Sequence, residues 1–167
     1  MSVAEHKSFA PASVRCFVLT VSDTRTDATD TGGRAIRELL EAGGHTVTDH
    51  AIVRDDAAVV QRIVRAKLDD PATQVILTTG GTGITSRDGT FEAIDGLLEK
   101  RLTGFGELFR MLSFEQIGSA AMMSRATAGT VGRKAVFALP GSPDAVRLAM
   151  AKLILPELGH VVQQLGR

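Results

Sequence analysis

The chain contains neither tryptophan nor tyrosine, and seven phenylalanines are its whole aromatic supply. Proteins that hold single-stranded nucleic acid stack bases on exposed rings and follow the phosphates with surplus basic charge. Lys and Arg total 19 against 19 Asp and Glu, so that surplus is missing as well. Neither nucleic acid nor an anionic membrane surface is an expected partner. Cysteine is nearly absent: Cys16 stands alone in an apolar run, which rules out a disulfide framework and a cysteine-rich metal site and fits a reducing compartment. The four histidines, at 6, 45, 50 and 160, have no metal-ligand spacing, and no zinc or iron is assigned. No apolar run approaches the ~20 residues that cross a bilayer, and Met1 to Ser13 lacks the apolar centre of an export signal. The expectation is a cytoplasmic protein with no membrane contact.

The 167 residues, 44% hydrophobic and 23% charged, suit one globular domain over residues 14–167 behind a flexible N-terminal arm at 1–13. Cys16 to Val21, Thr46 to Val53 and Val75 to Thr78 are short strand-forming runs. Between and after them lie stretches with helical apolar spacing: Ile36, Leu39 and Leu40, then Val60, Ile63, Val64 and Leu68, then Ile94, Leu97 and Leu98 with Thr90 as the expected cap. Phe105, Leu108, Phe109 and Leu112 predict a core-packed helix from Gly104 to about Ile117. Ala126 to Thr130 and Lys134 to Leu139 flank Val131-Gly132-Arg133 as a hairpin. Pro156 should end one helix and start another. The fold class is α/β: a three-layer α/β/α sandwich on a mainly parallel sheet with one antiparallel strand.

In such sheets ligands bind outside the carboxyl ends of the strands. Ser22-Asp23, Asp55-Asp56, the turn Thr78-Thr79-Gly80-Gly81-Thr82-Gly83 and Leu139-Pro140-Gly141-Ser142-Pro143 all fall at such ends. The glycines let backbone approach a phosphate closely, and the threonines add hydroxyl donors. A tight strand-to-helix turn explains the same residues, and neither the P-loop nor the Rossmann pattern fits, since Ser86 stands where a third glycine belongs. Asp88, beside such a turn, makes chemical sense with Mg²⁺ bridging to a phosphate; its plain alternative is a turn aspartate. Asp55 or Asp56 caps the following helix, and if Asp56 does so Asp55 is free for a ligand. Arg125 could fork onto a phosphate, although arginines more often pair at the surface. Ser113 reads by default as back-bonded to its helix, and Ser22, Asp23 and Asp30 as loop residues.

Taken together, the glycine turn, Ser86-Arg87-Asp88, Gly104-Phe105-Gly106-Glu107, Ser124-Arg125-Ala126 and Leu139-Pro140-Gly141-Ser142-Pro143 resemble the molybdopterin-binding family. With Val21-Ser22-Asp23-Thr24-Arg25 and Asp30-Thr31-Gly32 added, the sequence is most similar to that family's cofactor biosynthesis protein B branch, over about residues 14 to 165. The resemblance implies a homo-oligomer, trimeric or hexameric, and an Mg²⁺- and ATP-dependent adenylylation of molybdopterin with release of pyrophosphate. It implies Asp55 and Asp88 as the catalytic, Mg²⁺-holding carboxylates. It places Ser22, Gly80, Gly81, Thr82, Gly83, Pro140, Gly141 and Ser142 on the nucleotide and substrate phosphates, Asp23, Thr79 and Arg125 among the substrate- or nucleotide-binding residues, and Ser113 and Ser124 at the pterin. Arg54 precedes Asp55, and Gly89-Thr90 follows Asp88, where adenylyltransferase members usually carry prolines, so loop rigidity differs here. A non-catalytic binding or assembly protein and a generic Mg-nucleotide hydrolase are the alternatives.

Overall fold

The computed structural model describes residues 2–167. Strands with apolar residues on both faces need cover on both sides, and the amphipathic helices between them supply it. In chain order the elements are α1 (Val3–Ser8), β1 (Arg15–Val21), α2 (Thr31–Ala42), β2 (Thr46–Val53), α3 (Ala57–Asp69), β3 (Val75–Thr79), α4 (Thr90–Asp95), β4 (Lys100–Arg101) and α5 (Thr103–Ile117). A 3₁₀ segment (Gly118–Met123), β5 (Thr127–Val131), β6 (Lys134–Leu139), α6 (Pro143–Ala149), a π-helical segment (Met150–Ile154) and α7 (Leu155–Leu165) complete the chain. The six strands form one sheet in the order β2-β1-β3-β6-β5-β4. β1, β2, β3 and β6 are parallel, and β5 runs against both neighbours. The three-layer sandwich with one antiparallel strand is thus the observed architecture.

Side-chain alternation divides the core in two. Cys16 and Val18 of β1, Val75 and Leu77 of β3, and Ala135, Phe137 and Leu139 of β6 face α2, α5, α6 and α7. Phe17, Leu19, Val21, Ile76, Val136 and Ala138 face α3 and α4, meeting Val60, Val64 and Ile94. Each large apolar side chain so buried contributes about 1.5–3 kcal/mol. Because α2 and α3 cover opposite faces, the crossovers out of β1 and into β3 diverge, and the gap between those two strands is the switch point at which open α/β sheets bind ligands.

Local details differ from expectation at several points. α4 ends at Asp95, so Leu97 and Leu98 lie beyond it, and Gly89 occupies the cap position with Thr90 as the first helical residue. On α5, Phe109 is buried and Phe105 and Leu112 pack at the core edge, but Leu108 is 47% exposed. The two-residue β4, antiparallel to β5, had no sequence signal. Pro156 does start a helix, standing in the first turn of α7 where its missing N–H costs little, but no loop separates that helix from the one before. A π-helical turn joins α6 directly to α7, so the chain stays helical across the junction. Within the segment read as an arm, α1 lies against α7, with Lys7 paired to Glu157 and the Gln164 amide 3.0 Å from His6 Nδ1.

Candidate functional site

Three groups of side chains converge at the carboxyl edge of the sheet. The first fills the switch point. A cleft of about 330 Å³ is lined by Thr20, Val21 and Ser22 from the end of β1, Asp30 and Gly32 from the start of α2, Thr79 and Gly80 from β3, and Gly141 and Ser142 after β6. Its floor is backbone: Gly80 takes φ +96° and donates its N–H to the Leu139 carbonyl (3.0 Å), while a methyl on Gly32 would sit 3.2 Å from the Gly141 oxygen. Thr79 donates to the Pro140 carbonyl at 2.8 Å, fixing the β6 loop over β3. Thr20 donates to Asp30 Oδ2 (2.8 Å) and the Gly33 N–H to Asp30 Oδ1 (2.9 Å), so Asp30 both caps α2 and ties it to β1. Ser22 Oγ accepts the N–H groups of Thr24 (3.2 Å) and Arg25 (3.0 Å), which folds the β1 loop back on itself.

The second group surrounds the glycine turn. Asp56, not Asp55, caps α3, accepting from Ala58 (2.9 Å) and Val59 (3.2 Å). Asp55 therefore turns to the site, accepting the Gly89 N–H at 3.1 Å through Oδ1. Gly81, at φ +69°, presses its α-carbon against Asp55 and Thr90: a methyl there would stand 2.8 Å from Asp55 Oδ2 and 2.1 Å from Thr90 Oγ1. The buried Thr90 hydroxyl has no partner. Asp88 accepts the N–H (2.8 Å) and the hydroxyl (2.7 Å) of Thr85 on Oδ2, and Gly83 packs so closely on it that a methyl would be 2.7 Å away. Thr82 is buried within the turn. Asp23 is held by a fork from Arg87, at 3.0–3.1 Å, and accepts the Asp55 N–H at 3.2 Å.

These surroundings drive the two carboxyls apart. Burial pushes Asp55 above the ordinary carboxylate range; the Gly89 bond opposes this and the charges of Asp88 and Asp23 add to it. The Thr85 hydroxyl holds Asp88 below that range, helped by backbone N–H bonds and the Arg125 charge. Asp23 is lowered by its Arg87 fork. Asp55 is thus the carboxylate with most to gain from a cation. Among the described residues no three His, Cys, Asp or Glu side chains converge as a metal cage. One or two carboxylates are what Mg²⁺ ordinarily takes from protein when phosphates and water supply the remaining oxygens, so the donor set fits a cation that arrives with a phosphate ligand.

The third group forms a second cleft of about 230 Å³, lined by Phe109, Ser113 and Ile117 of α5, Ser124, Pro140 and Ser142, with Asp144 and Leu148 of α6. Ser113, expected by default to bond within its helix, faces this cleft. Ser142 lines both clefts, so the Pro140–Ser142 loop is their shared wall. Arg125 points elsewhere: its guanidinium grips the Gly83 carbonyl at 3.0 and 2.6 Å and pairs with Glu92. Sequence reasoning gave no role to Thr20, Glu92 or Arg110, and gave Thr90 only that of a helix cap. A threonine inside the apolar β1 run and a glycine four residues before Arg110 were the available signals, since Gly106 leaves the space that the Arg110 guanidinium fills on its way to the Ala126 carbonyl (3.1 Å).

The sequence matches the family described as a probable molybdopterin binding domain over residues 17–160. It is 58% identical to molybdenum cofactor biosynthesis protein B of Bacillus anthracis, covering 100% of this chain and 99% of that one, and 56% identical to the Bacillus subtilis protein of the same name over the same shares. The fold superimposes on a crystal structure of a molybdenum cofactor biosynthesis protein B with a TM-score of 0.92 at 57% identity, over 95% of this chain and 99% of the other. For a tungsten cofactor synthesizing protein of Pyrococcus furiosus the TM-score is 0.83 at 37% identity, over 95% and 100%. The cleft at the switch point, the carboxylate-flanked glycine turn and these likenesses agree: the chain belongs to the molybdopterin-binding family, among proteins of molybdenum cofactor biosynthesis.

Proposed function

We propose that this protein adenylylates molybdopterin with Mg·ATP. A terminal phosphate oxygen of the pterin attacks the α-phosphorus of ATP, the bond to the β-phosphate breaks, and pyrophosphate leaves. The observation that carries the reading is the juxtaposition of two clefts across the Pro140–Ser142 wall, with Asp55 and Asp88 on the adjoining glycine turn. Mg²⁺ held by Asp55 and Asp88 would supply charge neutralisation for the phosphates. The chain's own groups do the rest by orientation and by preorganised dipoles. The N–H groups of Gly81 and Thr82, with the Thr82 hydroxyl, line the phosphates, while the Gly80 N–H and the Thr79 hydroxyl, held by the Leu139 and Pro140 carbonyls, fix the shape of the turn that presents them. Ser113 and Ser124 orient the pterin in the second cleft, and Ser142 faces both substrates. Asp23 stays bound to Arg87 and steadies the loop beneath Asp55. None of these carboxylates acts as nucleophile.

The test is a pterin-dependent assay with Mg·ATP that scores pyrophosphate and adenylylated pterin, with Asp88→Asn alongside. Product from the parent and a fall of at least about a hundredfold in the variant is the expected result, the scale of removing one preorganised electrostatic group. Pterin binding without product in the parent would make this a binding or assembly protein instead. ATP hydrolysis without pterin would favour a generic Mg-nucleotide hydrolase.

Self-association into a trimer or hexamer belongs to the same reading. Met111, Phe114 and Ile117 are 54%, 61% and 61% exposed along one side of α5, and Met122 and Met123 continue the apolar ridge. A contiguous apolar surface of this kind marks a protein contact, and a second copy is the occupant proposed.

A further inference from the structure

We propose that Arg125 is a positioning residue that staples both ends of the stretch from Gly83, the last residue of the glycine turn, to Glu92, and thereby sets the place of Asp88; the consequence for nucleotide binding rests on the adenylylation reading. The turn leaves β3 at Thr79 and re-enters regular structure at Thr90. Such a loop, rich in glycine, has high conformational entropy and is ordered only by what ties it down. Arg125 reaches it from the segment before β5. Nε and Nη2 both donate to the Gly83 carbonyl, at 3.0 and 2.6 Å, at the last glycine of the turn. Nη1 pairs with Glu92, Nη2 donates to the other Glu92 oxygen at 3.5 Å, and the guanidinium lies 4.9 Å from the centre of the Phe91 ring. Phe91 and Glu92 belong to the first turn of α4, where the loop ends. One planar group therefore spans residues 83 to 92.

The contacts assign the role. A guanidinium has five N–H donors, and four are engaged by Gly83 and Glu92. Too few remain for a fork onto a phosphate, and only 28% of the side chain is exposed. The base of the staple is itself fixed, because Arg110 donates to the carbonyls of Ser124 (3.4 Å) and Ala126 (3.1 Å) on either side of it. The far end matters through Gly83, whose α-carbon packs against the Asp88 carboxylate. Ser124, adjacent in sequence, lines the second cleft, so one short segment braces both halves of the site.

Arg125→Gln and Arg125→Lys separate this role from direct charge on a phosphate. In the ligand-free protein, amide exchange between Thr82 and Asp88 should accelerate on the order of tenfold in Arg125→Gln, reflecting local opening, with β1 and β3 unchanged. Arg125→Lys should fall between, since an ammonium reaches one end of the loop and cannot fork to both. Titration calorimetry should show Mg·ATP binding weakened about tenfold in Arg125→Gln and pterin binding within about twofold of the parent. A fold defect alone would lower both together. Exchange unchanged in either variant overturns the staple, as does Mg·ATP binding kept by Lys but lost by Gln with exchange unchanged. If the parent itself binds no Mg·ATP, the adenylylation reading fails while the exchange comparison still decides the staple.

Discussion

Gly80→Ala tests the switch-point geometry most directly. Gly80 has φ +96°, a backbone region that costs an L-residue about 1–2 kcal/mol. Its added methyl would stand 2.1 Å from the Val21 carbonyl oxygen and 3.2 Å from the Val21 carbonyl carbon. Non-bonded atoms do not approach to 2.1 Å, so β1 and β3 must separate at their ends by roughly 1 Å, a packing strain of about 1–3 kcal/mol. The sum, about 2–5 kcal/mol, is a large part of a typical stability of about 5–15 kcal/mol. With no Trp or Tyr to report by fluorescence, urea titrations followed by far-ultraviolet circular dichroism are the suitable assay. Gly104→Ala is the control. Gly104 lies in the first turn of α5 with nothing within 4 Å of a new methyl, so that variant should gain about 0.5–1 kcal/mol. A Gly80→Ala loss below about 1 kcal/mol would refute the argument that Val21 and the positive φ jointly require glycine there.

Asp55→Asn should stabilise the fold at neutral pH and, on the adenylylation reading, abolish turnover of Mg·ATP. A carboxyl raised by burial favours its protonated form in the folded state, so its contribution is present below the unfolded value and lost as pH rises through the folded one. At pH 7 the gain should be at most about 1 kcal/mol, discounted for solvent at this half-open position, and it should vanish below pH ~3.9; equal melting at pH 7 would contradict it. Thr85→Val removes the 2.7 Å hydroxyl bond to Asp88. It should cost about 0.5–1.5 kcal/mol at pH 7. Because the Asp88 carboxyl is lowered, that stability is present above its unfolded value and lost as pH falls through the folded one, so the difference should close in acid. Phe114→Asp, on the exposed ridge of α5, should shift sedimentation toward a monomer while leaving the circular dichroism spectrum unchanged.

Strand periodicity and turn residues made the sheet legible, because a buried parallel strand reads as an apolar run and each loop at its end is polar or glycine-rich. β2 was legible to the residue. β4 was not, since two exposed basic residues carry no period and pair only because β5 offers an edge. The same limit applies to side chains whose direction is set by distant partners. Asp55 and Asp56 are indistinguishable in sequence, and only the cap geometry of α3 releases one of them. Arg125 has the composition of a phosphate ligand, but Glu92, Phe91 and the Gly83 carbonyl claim its donors first. Met111, Phe114 and Ile117 were hidden because outward apolar residues on α5 blur the period of the inward ones.

The reversal of β5 also bears on how the site is made in time. Val131 pairs with Lys134 across the shortest link in the sheet, and the ladder runs back to Thr127 opposite Ala138. Closing it needs only a tight turn, which hairpins accomplish in about 1–10 μs, whereas β1 must find β3 across some sixty residues and two crossovers. Ser124 and the Pro140–Ser142 wall flank that hairpin, so the second cleft can be brought together locally. The switch-point cleft waits for the parallel strands. Pulse-labelled exchange during refolding should accordingly show Thr127 to Leu139 protected before Cys16 to Val21.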